Sequence, residues 1–86
     1  MRIKLKNNQP REILIFTVKH LTDAFESEMS DTIFYFTQDI EAATAQNNHN
    51  KLVEALNGLK GVIDSQELDD LGRLTYRLIG LVDMDQ

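Results

Sequence analysis

The chain contains no cysteine, so neither disulfides nor thiolate metal sites can reinforce it. It also lacks any apolar stretch near the ~18 residues that a membrane helix needs. The apolar run over residues 13–18 ends at Lys19 and His20, and no A-x-A-like cleavage site follows it. A cytoplasmic location with no membrane partner is the expectation. No G-x-x-x-x-G-K-[ST], G-x-G-x-x-G or G-x-S-x-G occurs. The four glycines, Gly58, Gly61, Gly72 and Gly80, are scattered through helical pattern and build no phosphate-cradling loop. His20 and His49 are the only histidines, far apart and without HExxH-like spacing. Acidic neighbours such as Asp69–Asp70 are spaced like solvated helix surface. These absences point away from an enzyme and imply no metal and no cofactor.

Charge is lacking in one region and concentrated in another. Residues 21–50 hold no Lys or Arg and carry a balance of −6. Residues 1–20 set five basic residues against Glu12, a balance of +4, and the remainder carries −3. Asymmetry of this kind bears on partners rather than on fold. An acidic body repels phosphates, while a basic N-terminus keeps a local nucleic-acid contact open. With 86 residues, the chain fits one domain with a small core, marginal in stability unless association enlarges the buried surface.

The pattern of what is present is mainly α. "RIKLK" alternates Ile3 and Leu5 with Arg2, Lys4 and Lys6, the period of a strand, so residues 2–6 are predicted as a short strand or arm. "NNQP" breaks it, and Pro10 suits the first turn of a helix, with Glu12 favourably placed near its N-terminus. Leu14, Val18, Leu21, Phe25, Met29, Ile33, Phe36, Ile40 and Ala43 then recur every three or four residues. This spacing predicts one long helix over about 10–46, with a break allowed near 27–31. The β-branched and aromatic content of residues 12–18 supports a β-hairpin as the alternative for that stretch. After "QNNHN", "KLVEALNGLK" predicts a helix over about 51–60 capped by Asn50, with Gly61 in the left-handed position behind it. "IDSQEL" reads as a capping box, Asp64 with Glu67, stapled by Ile63 and Leu68, opening a helix over about 65–82. Its stripe is Leu71, Leu74, Leu78 and Leu81. Close helix approach is a conjectured reason for Gly72 and Gly80. The whole is a single helical domain, 1–86.

Lengths suggest a partner. Two short helices folded back cover only half of a ~55 Å helix, leaving Leu14, Val18, Leu21 and Phe25 bare. An apolar stripe in water is costly at ~25 cal/mol per Å², so a second copy is expected to cover it as a homodimer. "IFYF" raises a related question. Ile33 and Phe36 belong to the stripe, whereas Phe34 falls beside Gln38 and Glu41 and Tyr35 near Asp31 and Asp39. Phe34 and Tyr35 are therefore candidate partner anchors, with Phe16 and Ile13 on the same side of a continuous helix. Packing of Phe34 against another helix is the structural alternative.

The opening "RIKLKNNQPREIL" resembles the start of ribbon-helix-helix repressors, a likeness covering about half of the chain. It implies a strand that pairs with its twofold mate in the major groove, with Arg2, Lys4 and Lys6 reading bases and phosphates. The chain departs from that family at the inter-helix turn, where "ESEMSD" stands in place of a glycine, and in the longer gap "NNQ". The resulting expectation is a non-enzymatic, acidic, helical protein–protein interaction module (adaptor, inhibitor or neutralising partner), acting as a homodimer. The alternative is a small dimeric DNA-binding regulator using Arg2, Lys4 and Lys6.

Overall fold

The computed structural model describes residues 2–26, 31–67 and 69–84. Among them are four α-helices: α1 (Arg11–Phe25), α2 (Asp31–Ala45), α3 (His49–Gln66) and α4 (Asp69–Leu81). Each packs on its neighbours in sequence, and α4 closes the ring by packing on α1. Connections of only a few residues force successive helices to run antiparallel, so the arrangement is an up-and-down bundle, 32 × 22 × 21 Å. The mainly helical expectation holds. The long helix over 10–46 is not continuous: it is two helices, α1 ending at Phe25 and α2 beginning at Asp31, as the break allowed near 27–31 permits. Residues 27–30, Met29 among them, and Leu68 lie outside the described ones.

That interruption alters the dimer argument. Leu14, Val18, Leu21 and Phe25 on α1 and Ile33, Ile40 and Ala43 on α2 are all buried within one chain. They meet Leu52, Leu56 and Leu59 of α3, Leu78 of α4 and Val82 in one core. Such side chains contribute ~1.5–3 kcal/mol each on burial. Folding α1 back onto α2 and α4 covers the half that a straight helix would have left bare. The four residues assigned to a dimer interface are thus buried in the core of one chain, Val18 and Phe25 reaching the surface only in the lining of a groove.

Residues 11–18 are helix, which removes the β-hairpin alternative. Pro10 immediately precedes α1, in extended backbone, and its carbonyl accepts from the Ile13 N–H at 3.1 Å. At the start of α3 the cap is Asn48 rather than Asn50. Its side chain accepts from the Lys51 N–H at 3.2 Å. The helix passes through Gly61 without interruption, and Glu67 takes the left-handed position at its end (φ 54, ψ 44). The Asp64–Glu67 capping box is therefore not formed, because Asp64 still lies inside α3 and α4 begins only at Asp69. Sequence favoured Gly61 because glycine pays no Cβ penalty there. The apolar positions Val62 and Ile63 instead extend the packed face another turn, since Ile63 is buried and Val62 packs against the core.

Gly58 and Gly72 serve close approach. A Cβ at Gly58 would overlap the ring of Phe36 on α2, and one at Gly72 would lie 3.1 Å from Ile63. Gly80 has open space around its Cβ position, so the conjecture holds for Gly72 and fails for Gly80.

Among the described residues the N-terminal arm makes one antiparallel bridge, Leu5 to Val82, and no strand. Ile3 is buried and Leu5 packs against the core, while Arg2, Lys4 and Lys6 are exposed, so the alternation read from the sequence survives in the packing. Side chains pin the arm. The Ile3 N–H donates to Asn47 Oδ1 and the Ile3 carbonyl accepts from Arg11, both at 3.1 Å. The Lys4 N–H donates to His49 Nδ1 at 3.1 Å, and its carbonyl accepts from the Asp83 N–H at 2.9 Å. His49 is fully buried, and its Nε2 has no partner among the described residues.

Candidate interaction groove

The three sequence-predicted anchors are all exposed: Phe16 by 71%, Phe34 by 61% and Tyr35 by 56%. The bundle does not bring them together. Phe34 lines a groove of about 890 Å³ between α1 and α2. Tyr35 lines a separate, more polar depression between α2 and α3 with Asp39, Asn50, Lys51 and Glu54, its ring 5.6 Å from that of Phe36. Phe16 belongs to neither and stacks on His20, one turn along α1, with ring centroids 6.2 Å apart. The residue facing Phe34's groove from α1 is Ile15, 57% exposed.

Helix reversal explains the exchange of Phe16 for Ile15. On a continuous helix Phe16 and Phe34 share a side. Once the chain turns back, each helix presents its own flank to the other. In an antiparallel pair sharing one core, the residues following the core positions fall on flanks that either face each other or both face away, according to the hand of the bundle, and here they face each other. Ile15 follows Leu14, Lys19 follows Val18 and Thr22 follows Leu21 on α1. Phe34 follows Ile33, Gln38 follows Thr37 and Glu41 follows Ile40 on α2. All six line the groove. The signal lies in the sequence once the stripe is cut in two and the hand of the bundle is known.

Chemically the groove is an aliphatic and aromatic trough with an acidic rim. Val18 and Phe25 contribute to its lining, and Thr37 is tied to its own helix, its hydroxyl donating to the Phe34 carbonyl at 2.9 Å. Among the charged residues lining it, Asp23, Glu26 and Glu41 stand against Lys19 alone. On the far side of the bundle, Tyr76 of α4 donates to Asp64 of α3 at 2.6 Å, and Lys60 pairs with the same carboxylate at 3.3 Å. The Tyr76 hydroxyl, and after it Lys60, holds the Asp64 carboxyl below its usual range. The same bond to Asp64 raises the Tyr76 phenol above its usual value.

Arg2, Lys4 and Lys6 remain solvent-facing. The backbone groups of Ile3 and Lys4 are already bonded within the chain. The ribbon-helix-helix resemblance requires such groups to pair with a twofold mate, and here they are occupied. Among the described residues no group of three His, Cys, Asp or Glu could hold a metal ion, and no helix is long and apolar enough to cross a membrane. No family model, curated protein or solved structure matches this chain.

Proposed function

We propose that this protein is a non-enzymatic interaction module, a small acidic helical bundle that receives another protein in the groove between α1 and α2. The observation that carries the reading is the pairing of Ile15 and Phe34, both more than half exposed, across one trough. Single exposed apolar residues are ordinary. Two that frame a concave, acid-rimmed surface resemble the apolar centre and polar rim of a binding patch. Phe34 retains the anchor role expected from the sequence, joined by Ile15, while Tyr35 and Phe16 lie outside this patch. One folded chain presents the groove, so the role does not need the homodimer inferred from the buried row. Adaptor, inhibitor and neutralising roles all follow from such a surface, and they differ in the identity of what binds.

A photo-crosslinking side chain placed at Gln38, exposed on the groove wall, tests the reading in extract from host cells. A discrete adduct is expected, lost in the Phe34→Ser variant and kept in Tyr76→Ser. Adducts indifferent to Phe34→Ser contradict the proposal.

A further inference from the structure

Building on the interaction reading, we infer that the occupant of the α1–α2 groove is a basic amphipathic α-helix of a partner protein. Three observations specify it.

First, the walls of the groove are two helices. Their backbone N–H and C=O groups are consumed within each helix. An extended peptide entering this trough would carry its own peptide groups into an apolar setting with no ladder to join. A helix brings its backbone already satisfied and needs only side-chain contacts. Second, the apolar contacts are spaced for a helix. Because α1 ends at Phe25 and α2 begins at Asp31, their antiparallel pairing sets Ile15 about level with Glu41, which lines the same groove. Phe34 is seven residues before Glu41, so the two apolar anchors are ~10 Å apart along the trough at ~1.5 Å per residue. A ligand helix meets both with apolar side chains at i, i+3 or i+4 and i+7. Third, charge selects the flanks. Asp23, Glu26 and Glu41 outnumber Lys19 on the rim, and α2 contains no Lys or Arg at all. Lysine or arginine bordering the apolar stripe complements that rim and speeds encounter.

The test is a selection of displayed random 16-residue peptides on the native chain, followed by affinity measurements with the enriched sequences made as synthetic peptides. The expected result is a helical period of apolar residues flanked by net positive charge. Binding should fall at least tenfold against Ile15→Ser and against Phe34→Ser. It should fall several-fold against Glu41→Lys and on raising NaCl from 50 to 500 mM, and stay unchanged against Tyr76→Ser. All four positions are solvent-exposed, and an unchanged circular dichroism melt confirms that each variant is folded. Enriched sequences that are acidic, or extended without a helical period, overturn the inference while leaving the interaction reading intact if the Gln38 adduct still depends on Phe34. Sedimentation showing a dimer abolished by Phe34→Ser also overturns it, since the occupant is then a second copy. Peptides indifferent to both Ile15→Ser and Phe34→Ser, with no groove-dependent adduct, overturn both.

Discussion

On the α3–α4 side of the bundle the exposed aromatic residue is engaged by its own chain. Tyr76, 43% exposed, donates to Asp64, and Lys60 sits 5.8 Å from its ring centroid while pairing with that carboxylate. On the α1–α2 side, Ile15 and Phe34 are more exposed and carry no side-chain polar atom by which a neighbour could hold them. Both sides bury comparable aliphatic stripes, Leu14, Leu21 and Ile40 on one and Leu52, Leu56 and Leu78 on the other. Burial of the core therefore does not explain the difference outside. Neither does helix propensity, because Phe and Ile are middling helix formers and nothing local favours them at exposed positions. The contrast separates residues that hold the bundle together from residues available to something else.

The largest expected effect tests the shared part of that comparison. Leu21→Ala on α1 should cost about 2–5 kcal/mol, as should Leu56→Ala on α3, because each leaves a cavity in the same core. Chemical denaturation measures both. A small cost for Leu21→Ala, or a midpoint that rises with protein concentration, would indicate that α1 is covered by a second chain.

Next comes the contact joining the two sides. Gly58→Ala should destabilise by about 1–3 kcal/mol through overpacking against Phe36, despite the ~1 kcal/mol by which alanine favours a helix. Gly80→Ala, with open space around it, should keep that helix gain. Equal and favourable effects at both positions would show that Phe36 swings aside freely.

A smaller change sharpens the account of the α3–α4 connection. Glu67 adopts a left-handed backbone that glycine reaches without penalty. Glu67→Gly should raise stability by up to about 1 kcal/mol in thermal or chemical melts. A loss would mean that the glutamate side chain contributes more than its backbone costs.

Much of this architecture was legible in the letters. The stripe from Leu14 to Ala43 identified most of the α1 and α2 core, and alternation in the arm placed Ile3 and Leu5 inward. A break near 27–31 was legible, but that the chain turns back between α1 and α2 was not. A connection of suitable length restores the phase of the apolar stripe on its far side, so periodicity alone cannot distinguish one long helix from two. From that one descend the bare half-helix, the reasoning that needed a second copy over Leu14, Val18, Leu21 and Phe25, and the grouping of Phe16 with Phe34. The capping signals misled for another reason. Asn50, Gly61 and the Asp64–Glu67 pair are each good local end signals, but extending α3 packs Val62 and Ile63, and tertiary burial outweighs a cap worth ~1 kcal/mol.

The least of the expected effects concerns pH and the Tyr76–Asp64–Lys60 cluster. A carboxyl lowered by folding contributes stability above its unfolded value of about 4 and loses it as pH falls toward the folded value. A phenol raised by folding contributes below about 10 and loses its part as pH climbs through the folded value. The cluster therefore acts between those limits, weakly, since all three groups are solvent-exposed. In Tyr76→Phe the Asp64 carboxyl should titrate closer to the ordinary carboxylate range, as read by NMR. An unmoved Asp64 would assign its lowering to Lys60 instead.

The account rests on a single chain enclosing its own apolar row while leaving the α1–α2 trough open. Side-chain NMR of the native protein at low micromolar concentration, with a neutral soluble paramagnetic agent, measures both at once. Signals of Ile15 and Phe34 should broaden strongly while those of Leu14, Leu21 and Ile40 stay sharp. Protected Ile15 and Phe34, or broadened Leu14 and Leu21, would contradict it.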